Sequence, residues 1–270
     1  MEIIALLFAC LLIYFAVENI FMLRVRKEKL SDNGDIRIIH LSDLHKRTFG
    51  KDNKRLLEKT EKENPDLIIF SGDAITRDCR DFSELERFLC RLVKIAPVFF
   101  AYGNHELDLP NEYRKKLDDV LRKCGVHFAD NDTEIIEIKE RKLSVIYASL
   151  KRTIYKKNGS YRNLDDYTVD ELTDNLGNPN KNCTSILIAH NPFFADAYEK
   201  WGADFVFSGH IHGGAVRIPF LNIGVLSPER KFFPKNAKGV YKIGKMSLLV
   251  SGGLGKLRLF NPPEIVLYII

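Results

Sequence analysis

The sequence predicts an α/β fold, and three observations carry that prediction. Apolar strand-like runs and amphipathic helix patterns alternate three times between residues 36 and 101, the order that builds a sheet flanked by helices. Each of those runs ends in a cluster of small and polar residues: Ser42-Asp43-Leu44-His45, Ser71-Gly72-Asp73 and Gly103-Asn104-His105-Glu106. The composition, 45% apolar and 29% charged over 270 residues, excludes a disordered or fibrous chain and suits one large domain behind an N-terminal anchor. A formal charge of +5 favours anionic partners only weakly, because the basic residues are spread along the chain, so nucleic acid is not indicated. The five cysteines (Cys10, Cys79, Cys90, Cys124, Cys183) are widely separated, odd in number and without a Cys-x-x-Cys. That pattern argues against a disulfide framework or a thiolate metal site and makes them small core residues.

Residues 3–17 contain neither a charge nor a turn former, and extending the run to Leu23 gives the length of a membrane span, about 17 to 25 residues. No Lys or Arg precedes the run and no small-x-small site follows it, which favours an uncleaved anchor over a signal peptide. The expected division is therefore an anchor over 1–23 and a single domain over 24–270. Arg24, Arg26, Lys27 and Lys29 outweigh Glu28 after the run, and only Glu2 lies before it, so the positive-inside bias places the domain on the cytoplasmic side. The alternation of Phe21, Leu23 and Val25 with Met22, Arg24 and Arg26 fits a first strand of the domain as well.

After a turn at Ser31-Asp32-Asn33-Gly34, Ile36–Leu41 reads as a buried strand delivering Asp43 and His45. A helix over about 52–63 stops at Asn64-Pro65, and Leu67–Phe70 is a strand delivering Asp73. Ser83 and Glu86 suggest a capping box for a helix to about Ile95, and Val98–Ala101 is the strand before Asn104 and His105. A helix near 111–124 closes at Gly125, and strands near 126–129, 134–138 and 142–149 look antiparallel. Residues 151–183 form a polar excursion with a short helix capped by Thr168 and Glu171, a candidate wall of a substrate entrance. Ser185–Ala189 is a strand ending in His190-Asn191-Pro192, followed by a helix to Trp201 closed by Gly202. Asp204–Phe207 leads into Ser208-Gly209-His210-Ile211-His212-Gly213-Gly214, and strands near 239–244, 246–251 and 264–270 finish the chain.

In open α/β sheets the ligand crevice lies beyond the carboxyl ends of the strands, so motifs far apart in sequence converge there. The candidates are Asp43, His45, Asp73, Asn104, His105, His190, His210 and His212. Carboxylate oxygen, amide oxygen and imidazole nitrogen without thiolate suit Mn, Fe or Zn in mixed shells. Seven or eight such ligands are too many for one ion and about right for two that share a carboxylate, held roughly 3.5 to 4 Å apart. His210 and His212 at i and i+2 point to one side if their segment is extended, which would let one loop reach both ions. His40 and His127 read as structural, and Lys231, Lys235 and Lys238 are candidates to meet an anionic substrate.

Asp43-Leu44-His45, Gly72-Asp73, Gly103-Asn104-His105-Glu106, His190 and Gly209-His210-Ile211-His212 resemble the motifs of the calcineurin-like metallophosphoesterases, in that family's order. The resemblance implies a sandwich of two mixed β-sheets flanked by helices and two divalent ions, Mn²⁺ foremost with Fe or Zn as alternatives. It puts Asp43, His45 and His212 on one ion, Asn104, His190 and His210 on the other, and Asp73 between them. It leaves His105 off the metals, as the catalytic group that stabilises or protonates the leaving oxygen. Four positive charges against the carboxylates of Asp43 and Asp73 leave the site at +2, which attracts phosphate. A bridging water acidified by two metals would supply the attacking hydroxide, and a protonated His105 would serve as general acid.

Gly213-Gly214, Ser251-Gly252-Gly253-Leu254-Gly255 and Phe260-Asn261-Pro262-Pro263-Glu264 resemble a bacterial membrane-associated branch that includes phosphodiesterases and UDP-diacylglucosamine hydrolases. Ala215 stands where that branch often has Gln and Gly252 where it often has Arg, and both are expected near the substrate. The resemblance implies a phosphodiesterase or pyrophosphatase acting on a membrane-associated or nucleotide-linked phosphate. The alternatives are hydrolysis of soluble phosphodiesters such as cyclic nucleotides, or a membrane-tethered binding protein without turnover. Intact Asp73 and His105 weigh against the last.

Overall fold

The computed structural model describes residues 1–270 except Asn222 and Glu229. Helix α1 (Glu2–Ile20) is apolar on all sides, and the first sheet begins directly after it with β1 (Arg24–Lys29) and β2 (Arg37–Leu41). Then follow α2 (Lys54–Lys62), β3 (Leu67–Phe70), α3 (Ser83–Leu92), β4 (Val98–Phe100), a one-turn α4 (Asn104–Leu107), α5 (Asn111–Cys124) and β5 (His127–Phe128). The second half contributes β6 (Asp132–Ile138), β7 (Arg141–Ala148), α6 (Val169–Leu176), β8 (Thr184–Ala189), α7 (Ala195–Trp201) and β9 (Phe205–Ser208). A small hairpin, β10 (Arg217–Ile218) and β11 (Ile223–Gly224), precedes β12 (Gly239–Ile243), β13 (Met246–Val250) and β14 (Glu264–Ile269).

The strands form two mixed six-stranded sheets, ordered β1-β14-β2-β3-β4-β5 and β12-β13-β9-β8-β7-β6. Their apposed faces bury Ile36, Ile38, Leu67, Ile69, Phe99, Val145, Ile186, Phe207, Leu249 and Val266. The outer face of the first sheet is covered by α2, α3 and α5 through Leu56, Phe88, Leu89 and Leu117, and that of the second by α6 and α7 through Leu172, Tyr198 and Trp201. Central strands buried on both faces explain the unbroken apolar runs read from the sequence. The expected sandwich of two mixed sheets flanked by helices is the observed fold.

Several local expectations are corrected. Strand β5 lies parallel to β4 at the edge of the first sheet, with Phe99 opposite His127, so only β6 and β7 form an antiparallel pair in that stretch. A short apolar run cannot announce its neighbour, because register and partner are set by the opposing face. Ser83 does not cap α3. It opens the helix, and the Asp81 carboxylate accepts from the Ser83 backbone N–H at 2.9 Å and from its hydroxyl at 3.1 Å. Thr168 and Glu171 do form the expected box on α6, and Gly125 and Gly202 end α5 and α7 in the left-handed conformation. Cys90 and Cys124 form a disulfide joining α3 to α5, two helices that pack on the same sheet face and are far apart in sequence. The odd cysteine count concealed this pair, since Cys10, Cys79 and Cys183 are free.

Candidate metal centre

Six of the eight candidate side chains sit at the carboxyl ends of β2, β3, β8 and β9, and Asn104 and His105 open α4 directly after β4. Asp43, Asp73 and His190 are completely or almost completely buried, while His45, His105 and His212 reach the surface of a cavity of ≈ 440 Å³. Among the described residues, three groups bring potential ligand atoms within 4.8 Å of one another: Asp43 with His45 and His212, Asp73 with His190 and His210, and His45 with Asp73 and His105. The first two contain six of the seven residues expected around two ions, all but Asn104.

Backbone geometry explains how short turns achieve this. Asp43, His45, Asp73, His210 and His212 all adopt positive φ, between 53° and 68°, a conformation that costs non-glycine residues about 1 kcal/mol or more each. The segment carrying His210 and His212 is therefore not extended. It coils through left-handed residues at His210, His212, Gly213 and Gly214, with Ile211 N–H bonded to the Gly209 carbonyl, and the two imidazoles diverge to different partners by that coil rather than by strand alternation. The strain is offset by bonds that only this arrangement permits. Asp43 accepts from the Ser42 hydroxyl at 2.6 Å and from His210 N–H at 3.1 Å, and Asp73 accepts from His105 N–H at 2.9 Å. Two close approaches require glycine: a β-carbon at Gly209 would overlap the Ser42 hydroxyl, and one at Gly103 would overlap the Asp73 carboxylate.

The imidazoles fall into two classes by the proton each ring carries. His190 Nδ1 lies 2.6 Å from the Ser71 carbonyl and His45 Nδ1 lies 3.3 Å from the Ile75 carbonyl. A carbonyl can only accept, so each Nδ1 bears a hydrogen and Nε2 is the atom that offers a lone pair in the neutral ring, the orientation a metal-binding imidazole needs. His105 is reversed. Its Nδ1 accepts from the Arg77 backbone N–H at 3.0 Å, so its hydrogen sits on Nε2, 3.9 Å from the Asp73 carboxylate. His105 is thus a donor toward the cavity in its neutral form, which sets it apart from the ligands even though it falls within one of the three convergent groups.

The residues fit a pair of cations. Asn104 Oδ1 and His190 Nε2 are buried without a hydrogen-bond partner among the described residues, and both belong to the expected ligand set. His190 Nε2 faces the carboxylates of Asp73 at 3.2 Å and Asp43 at 3.8 Å, and His45 and His212 bring their Nε2 atoms within 3.3 Å of each other. Burial alone would strip His190 of a proton, but the two carboxylates outweigh it and push its pKa up to about 10. Burial also opposes ionisation of Asp43 and Asp73, yet the surrounding imidazoles hold both carboxyls below the usual range. Both shifts express one demand, for positive charge between buried carboxylates. Burial lowers His45 as well, and it lowers His105 to about 4, so His105 is neutral at pH 7.

Several participants had no functional role in the sequence reading. Glu106 is fully buried and its carboxylate accepts from the backbone N–H groups of Asp73 and Gly103, both at 2.8 Å, pinning two motif turns together. Burial, with the Asp73 charge beside it, raises its pKa to about 7. Its place in Gly-Asn-His-Glu was the available signal. Arg258, buried in a stretch without any motif, donates Nη1 to the carbonyls of Gly252 and His212, and Asn261 Nδ2 reaches the same His212 carbonyl at 2.6 Å. The 151–183 excursion does shape the cavity: Arg152, Tyr155, Lys156, Gly159 and Tyr161 line it together with Arg77, Asp108 and Pro228. Tyr155 packs edge-on against His210, with ring centroids 4.8 Å apart.

Other expectations about the surroundings are not met. Lys238 is largely buried against Glu264 at 2.7 Å, Lys231 lies over the Phe193 ring and Lys235 is exposed, and none of the three lines the cavity. Gly252 is packed against the Lys238 side chain with its N–H on Glu264, beneath the centre rather than beside a substrate, and Ala215 is also absent from the cavity wall. His40 and His127 are structural as expected: His40 Nε2 is 2.7 Å from the Ser71 hydroxyl in the core, and His127 pairs with Glu134 at the surface.

Known proteins resemble this chain in sequence. A UDP-2,3-diacylglucosamine pyrophosphatase, LpxG, of Chlamydia muridarum is 26% identical over 85% of this chain and 82% of its own length. The phosphodiesterase YaeI of Escherichia coli is 23% identical over 91% of this chain and 86% of its own, and an uncharacterized metallophosphoesterase of Aquifex aeolicus is 28% identical over 93% and 92%. The profile described as calcineurin-like phosphoesterase matches residues 36–214, the span that holds every candidate ligand. The chain belongs to the calcineurin-like phosphoesterase family, whose members use a dinuclear divalent-metal site.

Proposed function

We propose that the protein is a membrane-anchored phosphodiesterase or pyrophosphatase that cleaves a nucleotide- or lipid-linked phosphate, a UDP-diacylglucosamine-type diphosphate being the first candidate. The observation that carries this reading is the opposed tautomer of His105 against those of His45 and His190, which separates a proton-donating group from metal-binding ones within a single cluster. Asp43, His45 and His212 would hold one ion, Asn104, His190 and His210 the other, and Asp73 both, a mixed oxygen and nitrogen shell that suits Mn²⁺ foremost, with Fe or Zn as alternatives. Such a pair, when bound, supplies Lewis-acid charge for the phosphate oxygens and an acidified water as nucleophile.

The remaining work falls to the chain's own side chains. His105 Nε2–H donates toward the oxygen that leaves. Because Nδ1 is committed to the Arg77 N–H, His105 acts as a neutral donor, in place of the protonated general acid expected from the sequence. Arg77 and Arg152 both reach Asp108, at 2.8 and 3.5 Å, which holds two guanidiniums at the rim for phosphate oxygens. The substrate class is supported by the activities for which LpxG and YaeI are named.

Helix α1 supports the membrane assignment for residues 3–23: its mean hydropathy is 2.4 and only 6% of its apolar stretch is buried. The cations that favour the cytoplasmic side, Arg24 to Lys29, form β1, where Arg26 pairs with Glu264 as part of the fold, and the Cys90–Cys124 disulfide favours an oxidising compartment. Protease protection of the domain in sealed vesicles decides sidedness. For activity, the 270-residue chain in detergent with Mn²⁺ is expected to hydrolyse bis(p-nitrophenyl) phosphate and UDP-diacylglucosamine and to stop on chelation. Absence of turnover with Mn, Fe, Zn, Co and Ni would overturn the enzyme reading. Turnover of cyclic nucleotides with none of the lipid-linked diphosphate would overturn the substrate class.

A further inference from the structure

Among the described residues, exposed large apolar side chains gather in two places, along α1 and on the loops around the β10–β11 hairpin, with Ile135 and Tyr161 standing singly elsewhere. In the second place Phe220 is 105% exposed, Leu257 77%, Phe232 71% and Leu221 63%, with Phe233 and Phe260 also open to water. Monomeric soluble proteins rarely leave contiguous apolar patches larger than a few hundred Å² to solvent.

A chain of contacts joins these residues to α1. Tyr14 of α1 packs on Phe260 with ring centroids 5.1 Å apart, the Glu18 carboxylate accepts from Phe260 N–H at 2.8 Å, and Asn19 exchanges two bonds with the Arg258 backbone at 2.8 and 3.0 Å. Leu259 then bridges to Val216, the residue before β10, whose hairpin carries Phe220 and Leu221 at its turn. Phe233 N–H bonds the Val225 carbonyl, and Val225 N–H bonds that of Val216, which fixes the Phe232-Phe233 pair beside the hairpin. The inner side of these loops belongs to the centre: Arg258 and Asn261 hold the His212 carbonyl, and Pro228 lines the cavity. Exposed cations, Arg230, Lys231, Lys235 and Lys256, are interleaved with the aromatic and aliphatic groups. Apolar side chains among cations, continuous with an apolar helix, match the boundary between acyl chains and anionic headgroups.

We infer that Phe220, Leu221, Phe232, Phe233, Leu257 and Phe260 form a second membrane contact that dips into the bilayer boundary beside α1 and holds the cavity against the lipid surface. This inference rests on the assignment of α1 to the membrane. A substrate with its acyl chains in the bilayer would then present its phosphate to the cavity without leaving the leaflet.

The test uses the 270-residue chain in vesicles of phosphatidylcholine and phosphatidylglycerol with brominated acyl chains, and compares Phe220→Trp and Phe232→Trp with Thr133→Trp on the exposed face of β6. Trp201 is the single native tryptophan and is buried, so it contributes a constant background. Residues at the boundary lie within the outer 5–10 Å of the bilayer, so the added fluorescence of the first two variants is expected to fall by about half or more, and that of Thr133→Trp to stay unchanged. Equal quenching at all three positions, or none at Phe220 and Phe232, overturns the inference. A blue shift at Phe220 without quenching also overturns it, in favour of a second copy of the chain covering the patch. Quenching reads insertion with or without turnover, so its failure is distinct from failure of the enzyme reading. In an active preparation, combined Phe220→Ser, Leu221→Ser and Phe232→Ser should leave bis(p-nitrophenyl) phosphate hydrolysis intact and slow a vesicle-borne lipid diphosphate about tenfold, since only positioning at the surface is lost. Equal rates on both substrates would overturn the link to substrate delivery.

Discussion

The floor of the cavity and its rim are assembled on different terms. On the floor, Asp43, Asp73, Asn104, His190 and His210 are buried at strand ends, in turns whose strained backbone is locked by bonds to Glu106, Ser42 and Ser71. At the rim, Arg152, Tyr155, Lys156 and Tyr161 come from a long connection between β7 and β8, and the apolar loops come from those between β9 and β12 and between β13 and β14. The floor has no slack: glycines at 103 and 209 touch the ligands they serve, so a change there removes the chemistry. Rim residues lean on one another through pairs such as Arg152 with Asp108, partly in water, so a change there should retune the substrate and leave the chemistry standing.

The largest effect expected is at Asp73. Asp73→Asn keeps the shape and the bond from His105 N–H but removes the charge shared between the two ligand sets. Metal content measured by elemental analysis should fall together with the rate, by at least about 10³-fold for the rate. Full metal content in this variant would show that the floor tolerates substitution and would break the contrast. His105→Ala comes next. The rate should fall about 10²-fold, as for loss of one positioned proton donor, with both ions retained. Loss of an ion would return His105 to the ligand set, against its Nε2–H tautomer.

The same contrast governs what was legible in the sequence. Asp43, His45, Asp73, His190, His210 and His212 follow apolar runs and carry side chains that packing does not call for, so pattern and chemistry pointed to them together. The sandwich was available only through the family resemblance, because a buried run such as Val98–Phe100 does not state which strand lies beside it. Arg258 illustrates the limit. Its role follows from tertiary proximity to His212, 46 residues earlier, and nothing local distinguishes it from a surface arginine. Tyr155 and Arg152 were seen only as part of a polar excursion, since which side of a loop faces a cavity is decided by where its ends are anchored. The Cys90–Cys124 link was hidden for the same reason, being set by the packing of α3 on α5.

Beneath the floor lies a charged cluster that tests how firmly it is supported. Glu264 is buried, its carboxylate accepts from Gly252 N–H at 2.9 Å, and it pairs with Lys238 and Arg26. Burial opposes its ionisation, but the two cations prevail and draw its pKa down to about 2. The partners share this unequally: Arg26 is raised, whereas burial leaves Lys238 lowered even though Lys238 is the nearer cation, at 2.7 Å against 3.2 Å. A depressed carboxyl contributes stability above its unfolded value, near 4.3, and loses it as pH falls through the folded value, so a shift of this size contributes about 3 kcal/mol at neutral pH. Urea unfolding with chelator present should show Glu264→Gln less stable by roughly that amount at pH 7. The gap should narrow between about pH 5 and pH 2, and a gap independent of pH would assign the cost to packing.

The smallest effect belongs to the rim. Arg152 is half exposed and paired to Asp108, and exposed ion pairs contribute about 1 kcal/mol or less, so Arg152→Ala should leave stability within error. Its effect should fall on the substrate: a guanidinium that meets a phosphate oxygen before and during reaction alike raises KM by up to about tenfold when lost, with kcat held. Steady-state kinetics on a diphosphate and on bis(p-nitrophenyl) phosphate separates the cases, since only the former has a second phosphate for the rim to hold. A matching fall in kcat on both substrates would place Arg152 with the floor, and the boundary between chemistry and selection would then run through the excursion rather than in front of it.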